Sequence, residues 1–246
     1  MMPDPTFLET ADIDAATPDY ARRFAGEVGR YFLDLQTTLT LELLRPYPGA
    51  TVLDVGGGHG QLARPLAERG FQVTVTGSSD SCGRYLETQM APGSFHYQTC
   101  DLLHLPFPDQ SFDLVLSFRL LPHVSRWQEL IAELSRVARQ AVIIDYPDRR
   151  SVNIFSDLLF AWKKSLEGNT RSYTLFSRQQ VTAAFAGHGL HAPAFRHEFF
   201  LPMVLHRKMD AARVSRMTEQ FFRASGLTGL FGSPAIVRFQ RQLEAP

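Results

Sequence analysis

Several absences narrow the chemistry of this 246-residue chain. It holds two cysteines, Cys82 and Cys100, in neither a metal-ligand nor a redox spacing, so two reduced thiols are expected. Its charge is balanced, with 25 Lys and Arg against 25 Asp and Glu. A nucleic-acid binder carries a basic surplus, so nucleic acid is not an expected partner, with a local basic patch left open. No apolar run approaches the roughly 20 residues that span a bilayer. The acidic start lacks the basic opening and apolar stretch of a signal peptide, and the cytoplasm is the expected location. His197, Glu198 and His206 lack the His-Glu-x-x-His spacing of a metal site, and no metal is expected. There is no Gly-x-Ser-x-Gly elbow and no Gly-Lys-Ser or Gly-Lys-Thr, which turns the reading away from hydrolases and phosphotransferases.

What is present reads as one large α/β domain, residues 1–246. A polar start leads into a helix over 18–45, where Tyr20, Phe24, Val28, Tyr31, Leu35, Leu39 and Leu43 recur at spacings of three and four. Over 46–147 strands and helices alternate. Strands are expected at 51–55, 71–76, 94–99, 112–117 and 141–145, and helices at 61–69, 81–90 and 127–138. That order gives a parallel sheet with helices on both faces. Beyond Tyr146, helices are expected at 152–166, 177–186 and 203–224, with a sixth strand at 191–201. These extra helices read as a cap over 148–230, before a closing strand at 233–240 and a tail to 246.

The strongest chemical signal is Asp54-Val55-Gly56-Gly57-Gly58-His59-Gly60. A glycine loop between the first strand and its helix lets a ligand approach the backbone at the carboxyl edge of the sheet. Dinucleotide enzymes use such a loop as Gly-x-Gly-x-x-Gly or Ala, but the last position here is Gln61. Asp54-x-Gly56-x-Gly58-x-Gly60 resembles motif I of the class I S-adenosylmethionine (SAM)-dependent methyltransferases. Three more segments sit where that family has them: Thr99-Cys100-Asp101-Leu102, Leu105-Pro106-Phe107-Pro108-Asp109-Gln110-Ser111-Phe112-Asp113-Leu114-Val115, and Pro122-His123-Val124. The resemblance covers roughly residues 50–147 and leans towards the small-molecule branch that includes quinone-biosynthesis methyltransferases.

The resemblance implies a Rossmann-like, mostly parallel sheet of seven strands. It also implies SAM as cofactor, S-adenosylhomocysteine as product and a small, partly apolar acceptor. Its implied cofactor residues are Arg23, Asp54, Gly56, Gly57, Gly58, Gly60, Gly77, Ser78, Asp101, Leu102 and Ser117. Asp54 reads equally as a loop-holding carboxylate, Asp101 as an adenine ligand or a helix cap, and Ser117 as a cofactor contact or a turn residue. Gly77 stands where the family carries an acid for the ribose hydroxyls. Ser78 with its backbone, ahead of Asp80, is the expected replacement. His123 is a candidate general base or a packed histidine, and Tyr146 touches acceptor or packs beneath the cap. His59 shapes the loop. Two other classes stay open, an NAD-dependent oxidoreductase and a SAM-binding protein without turnover. The oligomeric state, the acceptor and the atom methylated are not encoded in any of these motifs.

Overall fold

The computed structural model describes residues 7, 9–151 and 173–242. Their elements run α1 (Ala11–Ala15), α2 (Pro18–Arg22), α3 (Gly26–Leu44), β1 (Thr51–Val55), α4 (Ala63–Ala67), β2 (Gln72–Gly77), α5 (Asp80–Glu87), β3 (His96–Thr99), β4 (Phe112–Ser117), α6 (Trp127–Val137), β5 (Ala138–Tyr146), α7 (Arg178–Ala186), β6 (Leu190–Phe199), α8 (Met203–Met209), α9 (Ala212–Ala224), α10 (Leu227–Phe231) and β7 (Ser233–Arg241). The seven strands form one sheet in the order β3-β2-β1-β4-β5-β7-β6. Only β7 runs against its neighbours, so the seven-stranded, mostly parallel expectation is met. The helix expected at 152–166 lies outside the described residues.

The period-two alternation of a strand sends successive side chains to opposite faces, and here both faces are dry. Val52, Leu114, Leu116, Ala141 and Ile143 face α3, α4 and α5. Leu53, Val55, Val115, Val142 and Ile144 face α6 and α7. Each fully buried Leu, Val or Ile contributes about 1.5–3 kcal/mol against exposure, so two such layers hold the sheet between its helices. One parity has a consequence at the carboxyl edge. Asp54, Asp145 and Glu198 are each the penultimate residue of their strands, β1, β5 and β6, and all three are buried.

The structure departs from the expected elements in several places, among them the helix expected over 203–224, which a left-handed Asp210 divides into α8 and α9. The helix foreseen over 18–45 breaks at 23–25. Gly26 takes φ +73°, and a Cβ on Gly29 would stand 2.1 Å from the Phe24 carbonyl carbon, so the chain doubles back against a bare backbone. The polar start carries an unexpected helix at 11–15, with Asp12 and Ala15 buried. The strand expected at 141–145 begins earlier, at Ala138, so that β5 follows α6 without a loop. Arg139 and Gln140 there bond the Asp113 carboxylate at 2.6 Å each. Finally, α7 is not cap material. Its Val181 and Phe185 belong to the core layer, with Phe185 stacked on Phe239 at 4.4 Å.

The stretch 105–109 has a structural reason for its composition. Arg136 of α6 donates to the carbonyls of Leu105 and Phe107 and to the Asp109 carboxylate at 2.7–2.9 Å, while Glu133 orients it from one turn away. One guanidinium fork thereby pins the segment that leads into β4.

Candidate active site

Where β1 ends, the chain turns through Gly56 (φ +74°) and Gly60 (φ +69°), conformations that favour glycine. The Gly56 N–H donates to the Thr76 carbonyl at 2.9 Å, tying the loop to β2. A Cβ on Gly57 would stand 2.2 Å from the Asp54 carboxyl carbon, and one on Gly58 2.6 Å from the Cys82 Cβ. The loop is thus closed down on Asp54 beneath it and on α5 beside it. Asp54 is fully buried with neither oxygen hydrogen-bonded, and burial pushes its pKa up to about 7. A buried carboxylate without a partner is costly. That unpartnered acceptor and the glycine loop above it fit the amino-acid end of SAM. His59 accepts from the Gln61 N–H through Nδ1 at 3.2 Å. Burial, aided by the Arg119 charge, lowers its pKa to about 3. The sequence reading gives His59 the role of shaping the loop, and the bond to Gln61 supports that role.

The topology brings most of the sequence-derived residues to the same edge. Ser117 closes β4 and donates through Oγ to the Val55 carbonyl at 3.1 Å, beside the glycine loop. Gly77 and Ser78 stand at the end of β2, and Asp101 and Leu102 follow β3. The Asp101 carboxylate accepts from the Leu103 N–H at 2.9 Å and meets His104 Nδ1 at 3.0 Å, so it organises its own turn. Asp80 starts α5 and bonds the Thr99 hydroxyl. His123 lies in a short 3-10 turn after β4, its ring 5.6 Å from that of Tyr173. Tyr146 is fully buried at the end of β5, its ring against Phe176 and its hydroxyl unpartnered. Arg23 is not gathered in. It is exposed, with its guanidinium 5.4 Å over the Tyr20 ring.

Sequence reasoning missed a charged group beside the loop. Arg119 lies two residues past the end of β4 in a left-handed conformation, φ +59°. Its backbone N–H donates to Asp145 at 2.6 Å, its side chain bonds the buried Gln36 of α3, and its guanidinium lies 4.1 Å over the Phe24 ring. Burial works against its charge, but Tyr20, Glu198 and Asp145 more than offset this and raise its pKa. Burial lifts Asp145 to about 6 and Glu198 to about 8. Neither Glu198 oxygen has a hydrogen-bond partner. The next residue, Leu120, presses on the loop, 2.9 Å from where a Gly56 Cβ would be. One short segment, 119–120, therefore joins the glycine cradle to a buried acid pair. The positions of Asp145 and Glu198 at strand ends were readable, but their common burial was not.

A second unexpected contribution comes from the N-terminal segment. Glu9 accepts from the N–H groups of Ser125 and Arg126 at 2.9 and 3.1 Å, at the start of α6. Asp12 accepts from the Ser78 N–H at 2.7 Å and the Ser78 hydroxyl at 2.5 Å. No pattern in the sequence linked these acids to residues 66 and more positions away. Among the described residues no group of three or more His, Cys, Asp or Glu is placed to hold a metal, and no helix is long and apolar enough to cross a membrane.

Comparison with known proteins agrees with this geometry. Residues 53–144 match the family described as a methyltransferase domain. The chain is 35% identical over 107 residues to a ubiquinone biosynthesis O-methyltransferase of Paramagnetospirillum magneticum, a match covering 42% of this chain and 38% of that protein. The chain spans less than two fifths of the length of the first curated relatives it matches. A SAM-dependent methyltransferase from Thermotoga maritima shares the fold at TM-score 0.66 and 16% identity, over 95% of this chain and all of that one. Magnesium protoporphyrin IX methyltransferase from Synechocystis with bound S-adenosylhomocysteine does so at 0.63 and 16%, over 93% and 97%. Residues 53–144 thus match a methyltransferase domain, and the chain has the fold of solved SAM-dependent methyltransferases.

Proposed function

We propose that this chain transfers the methyl group of SAM to a small, partly apolar acceptor. The observation that carries the reading is the glycine cradle over an unpartnered, fully buried Asp54, inside the matched domain. The cofactor, when bound, supplies an already activated methyl group on a sulfonium. What remains for the protein is alignment, exclusion of water and disposal of the acceptor's proton.

Gly56, Gly57, Gly58 and Gly60 give the cofactor backbone to lie against, Asp54 offers negative charge beneath it, and Ser117 flanks it from β4. Asp101 and Leu102 border the adenine side, where Asp101 holds the turn. On the acceptor side, Arg119 and its two acids form the proton-handling group. Glu198, held largely protonated below pH 8, and Asp145, titrating near 6, bracket the range in which a base works at neutral pH. His123 keeps its candidacy as a general base and Tyr146 as an acceptor contact. That a ubiquinone biosynthesis O-methyltransferase is among the relatives supports a small acceptor of the quinone-precursor kind.

Calorimetry with SAM, S-adenosylhomocysteine and NAD tests the cofactor, and transfer of labelled methyl to a panel of phenolic and carboxylic acceptors tests the reaction. Heat with NAD alone would overturn the reading. So would SAM binding with no methyl transferred to any member of a broad panel.

A further inference from the structure

The end of β2 is built around a residue it does not contain. In doubly wound nucleotide-binding sheets an acid about 20 residues past the glycine loop, at the end of the second strand, takes the ribose hydroxyls. Here that place is Gly77, and a side chain there is sterically blocked. Its Cβ would lie 2.5 Å from the Tyr97 hydroxyl, 3.1 Å from the Cys82 Cβ and 3.0 Å from an oxygen of the Asp12 carboxylate. The negative charge at this spot comes from α1 instead. Asp12 is 2% exposed, and its two oxygens accept the Ser78 N–H and hydroxyl, with the Cys82 thiol at 3.7 Å.

The carrier of Asp12 crosses the mouth of the site. Glu9 fastens it to the start of α6, Asp12 fastens it to β2, and the Ala16 Cβ stands 3.2 Å from where a Gly58 side chain would begin. The strap 9–16 therefore spans from α6 to β2 above the glycine loop. A carboxylate offers about four lone-pair sites, and the two Ser78 donors and the thiol take three. One remains on Asp12, and the Ser78 hydroxyl can turn to meet a second donor.

We infer that Asp12 is the carboxylate that receives the ribose hydroxyls of the cofactor, so that the cofactor site is completed by the N-terminal strap and not by β2. This rests on the SAM reading above. It also accounts for Gly77 and for the burial of an acid so near the start of the chain. Asp12 is a binding residue, remote from the transferred methyl.

The test is calorimetry on the full chain with S-adenosylhomocysteine and its 2′-deoxy and 3′-deoxy analogues, for wild type, Asp12→Asn and Asp12→Ala. Loss of a charge-assisted hydrogen bond predicts about 10- to 100-fold weaker S-adenosylhomocysteine binding in both variants. In wild type, removing a hydroxyl from the ligand should cost a similar factor. In Asp12→Asn the same removal should cost little more, a coupling that a merely structural role would not produce. Melting of Asp12→Asn within a few degrees of wild type keeps the comparison valid should Asp12→Ala unfold. Unchanged affinity in the variants, or equal sensitivity to the deoxy analogues, overturns the inference alone. Tighter binding in the variants overturns it too, and makes the strap a competitor of the cofactor. A wild type that binds no S-adenosylhomocysteine overturns the SAM reading with it.

Discussion

Replacing Asp54 by Asn should make the ligand-free protein more stable at pH 8 while weakening its hold on the cofactor. Asp54 is fully buried, and its pKa is raised from 3.8 to about 7 by burial alone. The folded state thus holds this proton more tightly than the unfolded chain does. Its contribution to stability is fully present below pH 3.8 and is lost as pH rises, until the loss is complete above 7. At 1.36 kcal/mol per unit the whole window is worth about 4 kcal/mol. About 3 of this falls between pH 5 and pH 8. Asn keeps the shape and carries no charge at either pH, so the difference between variant and wild type isolates the titration. Urea unfolding at the two pH values reads it directly, provided the slopes agree. The variant's advantage should grow by about 3 kcal/mol from pH 5 to pH 8. With saturating S-adenosylhomocysteine the order should reverse, because on the proposed reading it is the negative charge of the carboxylate that balances the ligand's ammonium group. A variant less stable than wild type by the same margin at both pH values would refute the reasoning, since Asp54 would then have partners in the folded chain.

Glu198→Gln should follow the same sign over a higher window. Its pKa of about 8 predicts a stability gain that keeps growing up to pH 8 and then levels. Turnover should fall about a hundredfold or more where the acceptor needs a base, and unchanged turnover at pH 8 would remove Glu198 from that role. Glu219→Ala should cost about 3–5 kcal/mol. The buried Glu219 carboxylate accepts from Phe200 and Leu201 N–H at 2.8 and 2.9 Å and from His206 at 2.9 Å, and a loss below about 1 kcal/mol in chemical unfolding would contradict this account. Gly58→Val should abolish cofactor heat in calorimetry and also lower stability by about 1–3 kcal/mol. The new side chain meets Cys82 on α5 whether or not ligand is bound, so a fully stable variant would show that the loop has room to spare.

The core was legible because its signals are local. Val52-Leu53-Asp54-Val55 closed by glycines, the helix stop at Gly70 and the alternation in 112–117 each lie within one strand or turn, and the sheet follows from their order. The glycine cradle was legible for the same reason. The break at 23–25 was not, because it depends on Gly29 packing beneath Phe24, a contact made only after the chain folds back. Asp12 was illegible for a stronger reason: its partner is Ser78, and no spacing rule spans 66 residues. Ser78 was expected at the ribose position together with its own backbone, and the structure commits both its donors to Asp12. Arg119 carries its meaning in a left-handed backbone, which an arginine codon does not announce.

The reversed direction of β7 bears on how this protein is best handled. It begins beside the carboxyl ends of β5 and β6, with Ala235 opposite Tyr146 and Ser233 opposite Phe199. It finishes at the far rim, with Gln240 opposite Ala141 and Arg241 opposite Leu190. Position 242 therefore leaves the sheet on the side away from the glycine loop, whereas residue 9 leaves from the mouth itself. Tethering the protein to a sensor chip through a linker after 242 would present the cofactor mouth to solution. A tether entering just ahead of residue 9 would pull on the strap that carries Asp12, and kinetics measured through it would report the tether as much as the ligand.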